Sequence, residues 1–267
     1  MPQTHLMLLW HMHQPFYKDL AENAYAMPWV RLHALKDYFG MVAILRDFPS
    51  VHVTFNMVPS LVAQLEDYAQ DTAQEEDYEI AFKPVENLSG KERERLLEFA
   101  FHLNRENLLN RYPRFRELFD KAAAFQDPAT AARLFTEQDI LDLQMLSQLA
   151  WFEEIYLAGD REVHALVAKE RSYTEEDKST LHRKEIEILK VTLEEYRAAC
   201  ERGQIEISTS PFYHPILPLL CDSSVAAESR TDLRLPRRPF RHPEDARDQL
   251  RAEIGRASCR ERVYVLV

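Results

Sequence analysis

Glycine is scarce in this chain, with five in 267 residues. So few glycines argue against many tight hairpins and for long helices. Cysteine is scarcer still. Cys200, Cys221 and Cys259 share no zinc-ligand spacing and form no even disulfide framework, so a reducing cytoplasm is the simplest compartment. No window approaches eighteen consecutive apolar residues, which excludes a membrane-spanning helix. The N-terminus shows no basic region followed by a cleavage site, so no signal peptide is visible. Positive charge is also short: 33 Lys and Arg against 44 Asp and Glu leave a net charge of −11. That balance disfavours nucleic acid and anionic membrane as partners, because both require a basic face.

Several chemical signatures are missing as well. There is no G-x-G-x-x-G, no phosphate-binding glycine loop, no H-E-x-x-H and no G-x-S-x-G. No two histidines lie four apart, which removes the H-x-x-x-H of zinc-dependent barrel deacetylases. What is present is an apolar share of 46% with 29% charged residues, ample for a folded core. The length suits one large barrel domain or two ordinary ones.

The stretch His11-Met12-His13-Gln14-Pro15-Phe16-Tyr17 organises the remainder. It follows an apolar run, residues 6–10, that reads as a buried first strand. In extended chain, residues i and i+2 point the same way, so His11 and His13 present two imidazoles to one side. Pro15 ends the strand, since it cannot continue a ladder. Residues 26–48 then look helical and carry Trp29, Arg31, His33 and Lys36. Residues 51–55 read as a second strand, followed by Asn56 and the break at Pro59. Residues 61–69 resume as a helix, and 70–77 read as an acidic, solvated loop.

From 89 to 203 the pattern is almost wholly helical. Ser89 with Glu92, Thr136 with Asp139 and Thr174 with Asp177 stand at helix-start spacing, and Gly203 closes the last helix. In that helix Ile186, Leu189, Val191, Leu193, Tyr196 and Cys200 predict one buried face. Residues 205–209 switch to strand period. Residues 210–220 are too proline-rich to be regular, 230–241 form a basic loop, and Pro243 opens a helix toward Glu253. The order predicts an α/β fold of parallel βα units. With only three strands visible, this is an incomplete N-terminal part of a barrel with a long helical insertion between strands 2 and 3. An unclosed barrel leaves an unpaired strand edge and an uncovered core face.

Each strand exit carries a polar group. His11 and His13 suit either metal ligation or hydrogen bonding to sugar hydroxyls, and a barrel builds its site at the carboxyl ends of its strands. Asn56 follows the second strand and His214, among Phe212, Tyr213 and Pro215, the third. Trp29 offers a face for stacking on a sugar. Glu206, between two isoleucines, faces away from them, into a barrel or toward an arginine.

These residues resemble a known family. His11-Met12-His13-Gln14-Pro15 is similar to the first signature of glycoside hydrolase family 57. The runs from Pro28 to Tyr38 and from Thr54 to Ser60 are similar to segments that follow it there. Gly203-Gln204-Ile205-Glu206-Ile207, with Tyr213-His214-Pro215 and the apolar residues after it, resembles the second signature. The resemblance implies an incomplete (β/α)7 barrel in a retaining glycoside hydrolase acting on α-1,4 and α-1,6 glucans, with no cofactor and no metal. It implies substrate binding by His11, His13 and His214, to which Trp29 and Asn56 are added as candidates. It also implies a glutamate nucleophile and an aspartate acid/base, neither of which can be assigned here; both are expected beyond Glu253. A metal-dependent barrel hydrolase using His11 and His13 as ligands, or a non-catalytic sugar-binding homologue, are the alternatives.

The end of the chain reads differently. Residues 254–263 back-translate naturally as ATC GGA AGA GCG TCG TGT AGG GAA AGA GTG, the string of a common short-read sequencing adapter. On that reading, 1–253 is the N-terminal part of the catalytic barrel and 254–267 is translated adapter.

Overall fold

A computed structural model describes residues 4–125, 127–257 and 263–265. The chain forms two compact units, Met1–Phe16 with Asp47–Gln64 and Tyr196–Val267, and Tyr17–Arg46 with Leu65–Glu195.

The first unit is built on a parallel sheet of β1 (Leu9–Met12), β4 (Val53–Met57), β6 (Ile205–Thr209) and β7 (Val263–Val265), paired in that order. The labels β2 (Lys18–Asp19), β3 (Ala24–Tyr25) and β5 (Gln74–Glu75) belong to the second unit. Register places Leu9 beside Thr54 and Thr54 beside Glu206, and places His11 beside Asn56 and Asn56 beside Ser208. Because side chains alternate along a strand, these six share one face. The opposite face is apolar at its centre: Val53, Phe55, Met57 and Ile205 are buried. There the Phe55 ring meets Tyr196 edge-on at 5.0 Å. Tyr196 is held by the helix Glu175–Glu201, which ends in a Schellman motif. Gly203 has φ +68°, its N–H donates to Cys200 O, and the Gln204 N–H donates to Ala199 O. Only glycine adopts that backbone without cost.

Two expectations for this sheet need correction. The run before the first histidine is not buried: Leu6 is 83% and Met7 81% exposed, and Leu9 and Trp10 are exposed too. The reason is position, since β1 lies at the sheet's edge. An apolar sequence predicts burial only when a neighbour is there to cover it. The three strands expected are also four, because β7 adds a parallel partner to β6, with Ile207 beside Val263. β7 falls in the stretch read as translated adapter; of that stretch, residues 258–262, 266 and 267 lie outside the described residues.

The second unit is helical, with a small sheet in which β2 pairs antiparallel to β3 and β3 parallel to β5. The helical run expected over 26–48 forms from Trp29 to Asp47, with a π turn at Ala34–Tyr38. Capping boxes form at Ser89 with Glu92 and at Thr136 with Asp139, and Thr174 and Asp177 bond reciprocally in the same way. Each satisfies two orphan amide donors and stabilises its helix by about 1 kcal/mol.

Burial in this unit departs from the hydrophobic pattern. The acidic stretch at 70–77 is not a solvated loop: Glu75 and Asp77 are buried. On the long helix the buried stripe runs through Leu181, Glu185, Ile188 and Thr192, whereas Ile186, Val191 and Leu193 are only half-buried. The cause is Arg31, which is fully buried. Its Nε and Nη2 donate to the two Glu75 oxygens at 3.2 and 2.9 Å. Its Nη1 donates to Gln148 Oε1 at 2.7 Å and to Glu185 Oε2 at 3.1 Å. The Tyr68 hydroxyl donates to Glu75 Oε2 at 2.6 Å, and the guanidinium lies 4.5 Å from the Tyr78 ring centre. Burial alone would push the Arg31 pKa down, but Glu75 and Glu185 outweigh it and hold the group charged. One cation thus draws three polar side chains, Glu75, Gln148 and Glu185, into the core. Removing it would leave buried carboxylates uncompensated, at a cost of about 3–5 kcal/mol.

The cluster holds two carboxyl groups and one guanidinium, and burial biases Glu185 toward its protonated form. Burial pushes its pKa up, against Arg31 and with Glu75, from 4.5 to about 7. Its Oε1 has no hydrogen-bond partner, which suits a carboxyl group better than a carboxylate. Since the folded value lies above the unfolded one, this stabilisation is complete below about pH 4.5 and is lost as pH rises through about 7. Glu185→Gln, which keeps an acceptor for Arg31 and cannot ionise, should flatten that dependence. Thermal melts at about pH 5 and about pH 8 should therefore differ less for the variant than for the parent protein.

Candidate functional site

Three imidazoles converge beyond the carboxyl ends of the parallel strands. His11 stands on β1, His13 just past its end, and His214 on the segment after β6. Their ring centres are 5.6 Å (His11–His13), 4.7 Å (His11–His214) and 5.0 Å (His13–His214) apart. All three are exposed. Beneath them lies a buried polar layer. Asn56 Nδ2 donates to Ser208 Oγ at 3.1 Å, and Asn56 Oδ1 accepts from Ser210 Oγ at 3.0 Å. The same Oδ1 lies 2.7 Å from His11 Nδ1. An amide oxygen only accepts, so His11 carries a proton on Nδ1.

Register builds this layer: His11, Asn56 and Ser208 are direct cross-strand neighbours. His214 is placed by its backbone. It has φ +53°, in the left-handed region that a histidine occupies only under constraint, and its N–H donates to Pro211 O at 2.6 Å. Gln249, on the helix Pro243–Ala257, holds the preceding residues: its main-chain oxygen accepts from Phe212 N and its Oε1 from Tyr213 N at 2.8 Å. Tyr213 in turn packs edge-on against Phe16 at 5.2 Å.

Two of the three imidazoles are biased toward the neutral form. Desolvation lowers the His13 pKa below 6.5, with further depression from His214 and His11; desolvation and then His11 lower that of His214. A neutral imidazole offers one N–H and one lone pair, the complement of a hydroxyl group. Among the described residues, no group of three or more His, Cys, Asp or Glu is placed to hold a metal ion.

The structure therefore unites four of the five residues singled out in the sequence: His11, His13, Asn56 and His214. Trp29 belongs to the other unit, where its ring centre is 6.4 Å from that of Trp151 and 6.5 Å from that of His33. Glu206 is exposed and shares the face of Asn56, one row nearer the amino ends of the strands. Ser208, Ser210 and Gln249 were missed. The parity of β6 could have shown Ser208, two residues beyond Glu206 on the same face; nothing local marks the other two.

The sequence model of glycosyl hydrolase family 57 matches residues 7–255. The chain belongs to glycosyl hydrolase family 57. Membership places it among glycoside hydrolases and makes carbohydrate its substrate class. Neither the curated proteins nor the solved structures contain a match to the chain. Within this family 57 chain the matched span includes all five candidate residues and both histidine-bearing segments.

Asn56→Ala should leave the buried Ser208 hydroxyl without its amide partner, at a cost of about 1–3 kcal/mol in denaturant unfolding. It should also free His11 to exchange tautomers, visible as intermediate ring-nitrogen shifts in NMR spectra. A variant whose His11 stays on the Nδ1–H tautomer would show that Asn56 does not set it.

Proposed function

We propose that the chain is the sugar-positioning, N-terminal portion of a retaining glycoside hydrolase acting on α-1,4 and α-1,6 glucans. One observation carries this reading: a triangle of imidazoles stands over an Asn56–Ser208–Ser210 layer at the carboxyl ends of parallel strands. His11, His13, Asn56 and His214 form the sugar-binding wall. His11 is oriented by Asn56, while His13 and His214 each donate one bond and accept another. Trp29, within the second unit, is a separate aromatic face for a sugar ring. No cofactor takes part in this reading.

Retention of configuration requires two carboxyl groups roughly 5–5.5 Å apart across the scissile bond. Glu206 is the one carboxylate on the His11 face of β1, β4 and β6, so a pair is not assembled from these strands. The nucleophilic glutamate and the acid/base aspartate are assigned beyond Glu253. The open edge of β1, with Leu6 and Met7 in solvent, is where a further barrel strand would pair and cover apolar surface. Free Cys200 and Cys221 accord with a reducing, cytoplasmic setting.

Incubated with amylose or pullulan, this chain should release no reducing sugar; turnover at an ordinary glycosidase rate would sink the assignment of both carboxylates to missing sequence. Maltotriose should still bind, and His13→Ala should weaken that binding about tenfold, the loss of one or two hydrogen bonds. Because His13 and His214 hold their protons below pH 6.5, binding should be flat above that value and fall only in more acid solution. Titration by calorimetry across pH checks it, and a binding curve that rises on acidification would contradict neutral imidazoles as the contact groups.

A further inference from the structure

The second unit contains a pocket that the histidine site does not use. It is an open concavity whose space, outside solvent included, is about 420 Å³. Trp29, Trp151 and Phe99 supply aromatic walls, and Asp77, Gln148 and His102 supply polar atoms. The two indole planes meet at 57° with their centres 6.4 Å apart, which makes a corner rather than a stack.

Two polar atoms on residues that line this pocket lack protein partners. Trp151 is only 8% exposed, yet its indole N–H has no hydrogen bond to any described residue. A buried indole usually finds an acceptor. Asp77 is 7% exposed; Arg95 Nε donates to its Oδ1 at 2.6 Å, and its Oδ2 accepts from no described residue. Neither atom is sealed from solvent, since the buried side-chain atoms without a partner are Ser60 Oγ, Tyr78 Oη and Glu185 Oε1. One donor and one acceptor without protein partners thus belong to residues that line this aromatic corner.

We propose that this pocket binds one ring of a neutral pyranose, an α-glucosyl unit. A pyranose has an apolar C–H face that packs on an indole and a rim of hydroxyls that each donate and accept. The Trp151 N–H and the Asp77 Oδ2 meet that rim, and the exposed His102 imidazole stands at the pocket as a further polar contact. Charge selects against other ligands. The chain's −11 disfavours an anionic sugar phosphate. A cation is disfavoured because Arg95 already neutralises Asp77 and Arg31 lies behind Gln148 at 2.7 Å. A hydrocarbon would strand both free polar groups. The choice of glucose rests on the proposed function; the choice of a neutral sugar rests on the pocket.

The test labels the three tryptophans of the full chain with 5-fluorotryptophan, assigns each resonance with a Trp→Phe variant, and titrates maltose and cellobiose. Maltose should shift the Trp29 and Trp151 resonances saturably. Asp77→Asn should weaken the apparent affinity about tenfold, as should His102→Ala, whose exposed position leaves the fold undisturbed. His13→Ala should leave these two resonances and their titration unchanged. Saturable shifts with cellobiose alone would keep the pocket and overturn the α-glucan reading. Maltose binding that His13→Ala abolishes, with Trp29 and Trp151 silent throughout, would overturn the pocket and keep that reading. Silence of both resonances toward both sugars would also overturn the pocket.

Discussion

Cross-strand register is the constraint on which the candidate site depends. His11, Asn56 and Ser208 come from three strands, and parallel pairing puts them in one row. Within that row a single amide does the orienting: Asn56 donates to Ser208, accepts from Ser210 and fixes the His11 tautomer. A slip of one residue in β4 would turn Asn56 to the apolar face and put Phe55 or Met57 in its place. The tight apolar packing of Phe55 against Tyr196 makes such a slip costly, so the core of the sheet guards the chemistry of its other face.

The second unit obeys a different rule. Its centre is a charge, and Arg31 recruits Glu75, Glu185 and Gln148 from positions far apart in the chain. A buried ion cluster of this kind adds little net stability over an apolar core, but breaking it is expensive. It therefore selects one arrangement of the helices that carry its members. Gln148 also lines the Trp29–Trp151 pocket, so the side chain that completes the Arg31 shell helps to shape a surface concavity.

Function follows from the family and from how the site is finished. Family membership makes carbohydrate the substrate class. The imidazole cluster supplies hydrogen-bonding nitrogens, which suit hydroxyl groups and do not themselves cleave a glycosidic bond. Binding groups and reacting groups of a retaining glycosidase are separable in this way, because the former hold the ring while two carboxyl groups perform the displacement.

Much of this was legible in the sequence wherever the signal is local. The caps at Ser89, Thr136 and Thr174 depend on residues three apart, Gly203 on its own backbone freedom, and the positions of His11, Asn56 and His214 at strand exits on short apolar runs. Each of these features can be read from neighbouring residues because the interactions that cause it span one turn or one strand. The rest required the fold. That residues 6–10 lie open on an edge, that Glu75 is buried while Glu206 is exposed, that a polar stripe of the long helix faces inward, and that Gln249 holds the His214 loop are all consequences of partners distant in sequence. By itself the sequence determined the elements and the chemical kind of the candidate site. Only the tertiary structure decided which polar groups are buried and paired, because burial and hydrogen bonding depend on what the folded chain brings alongside, not on what stands next in line.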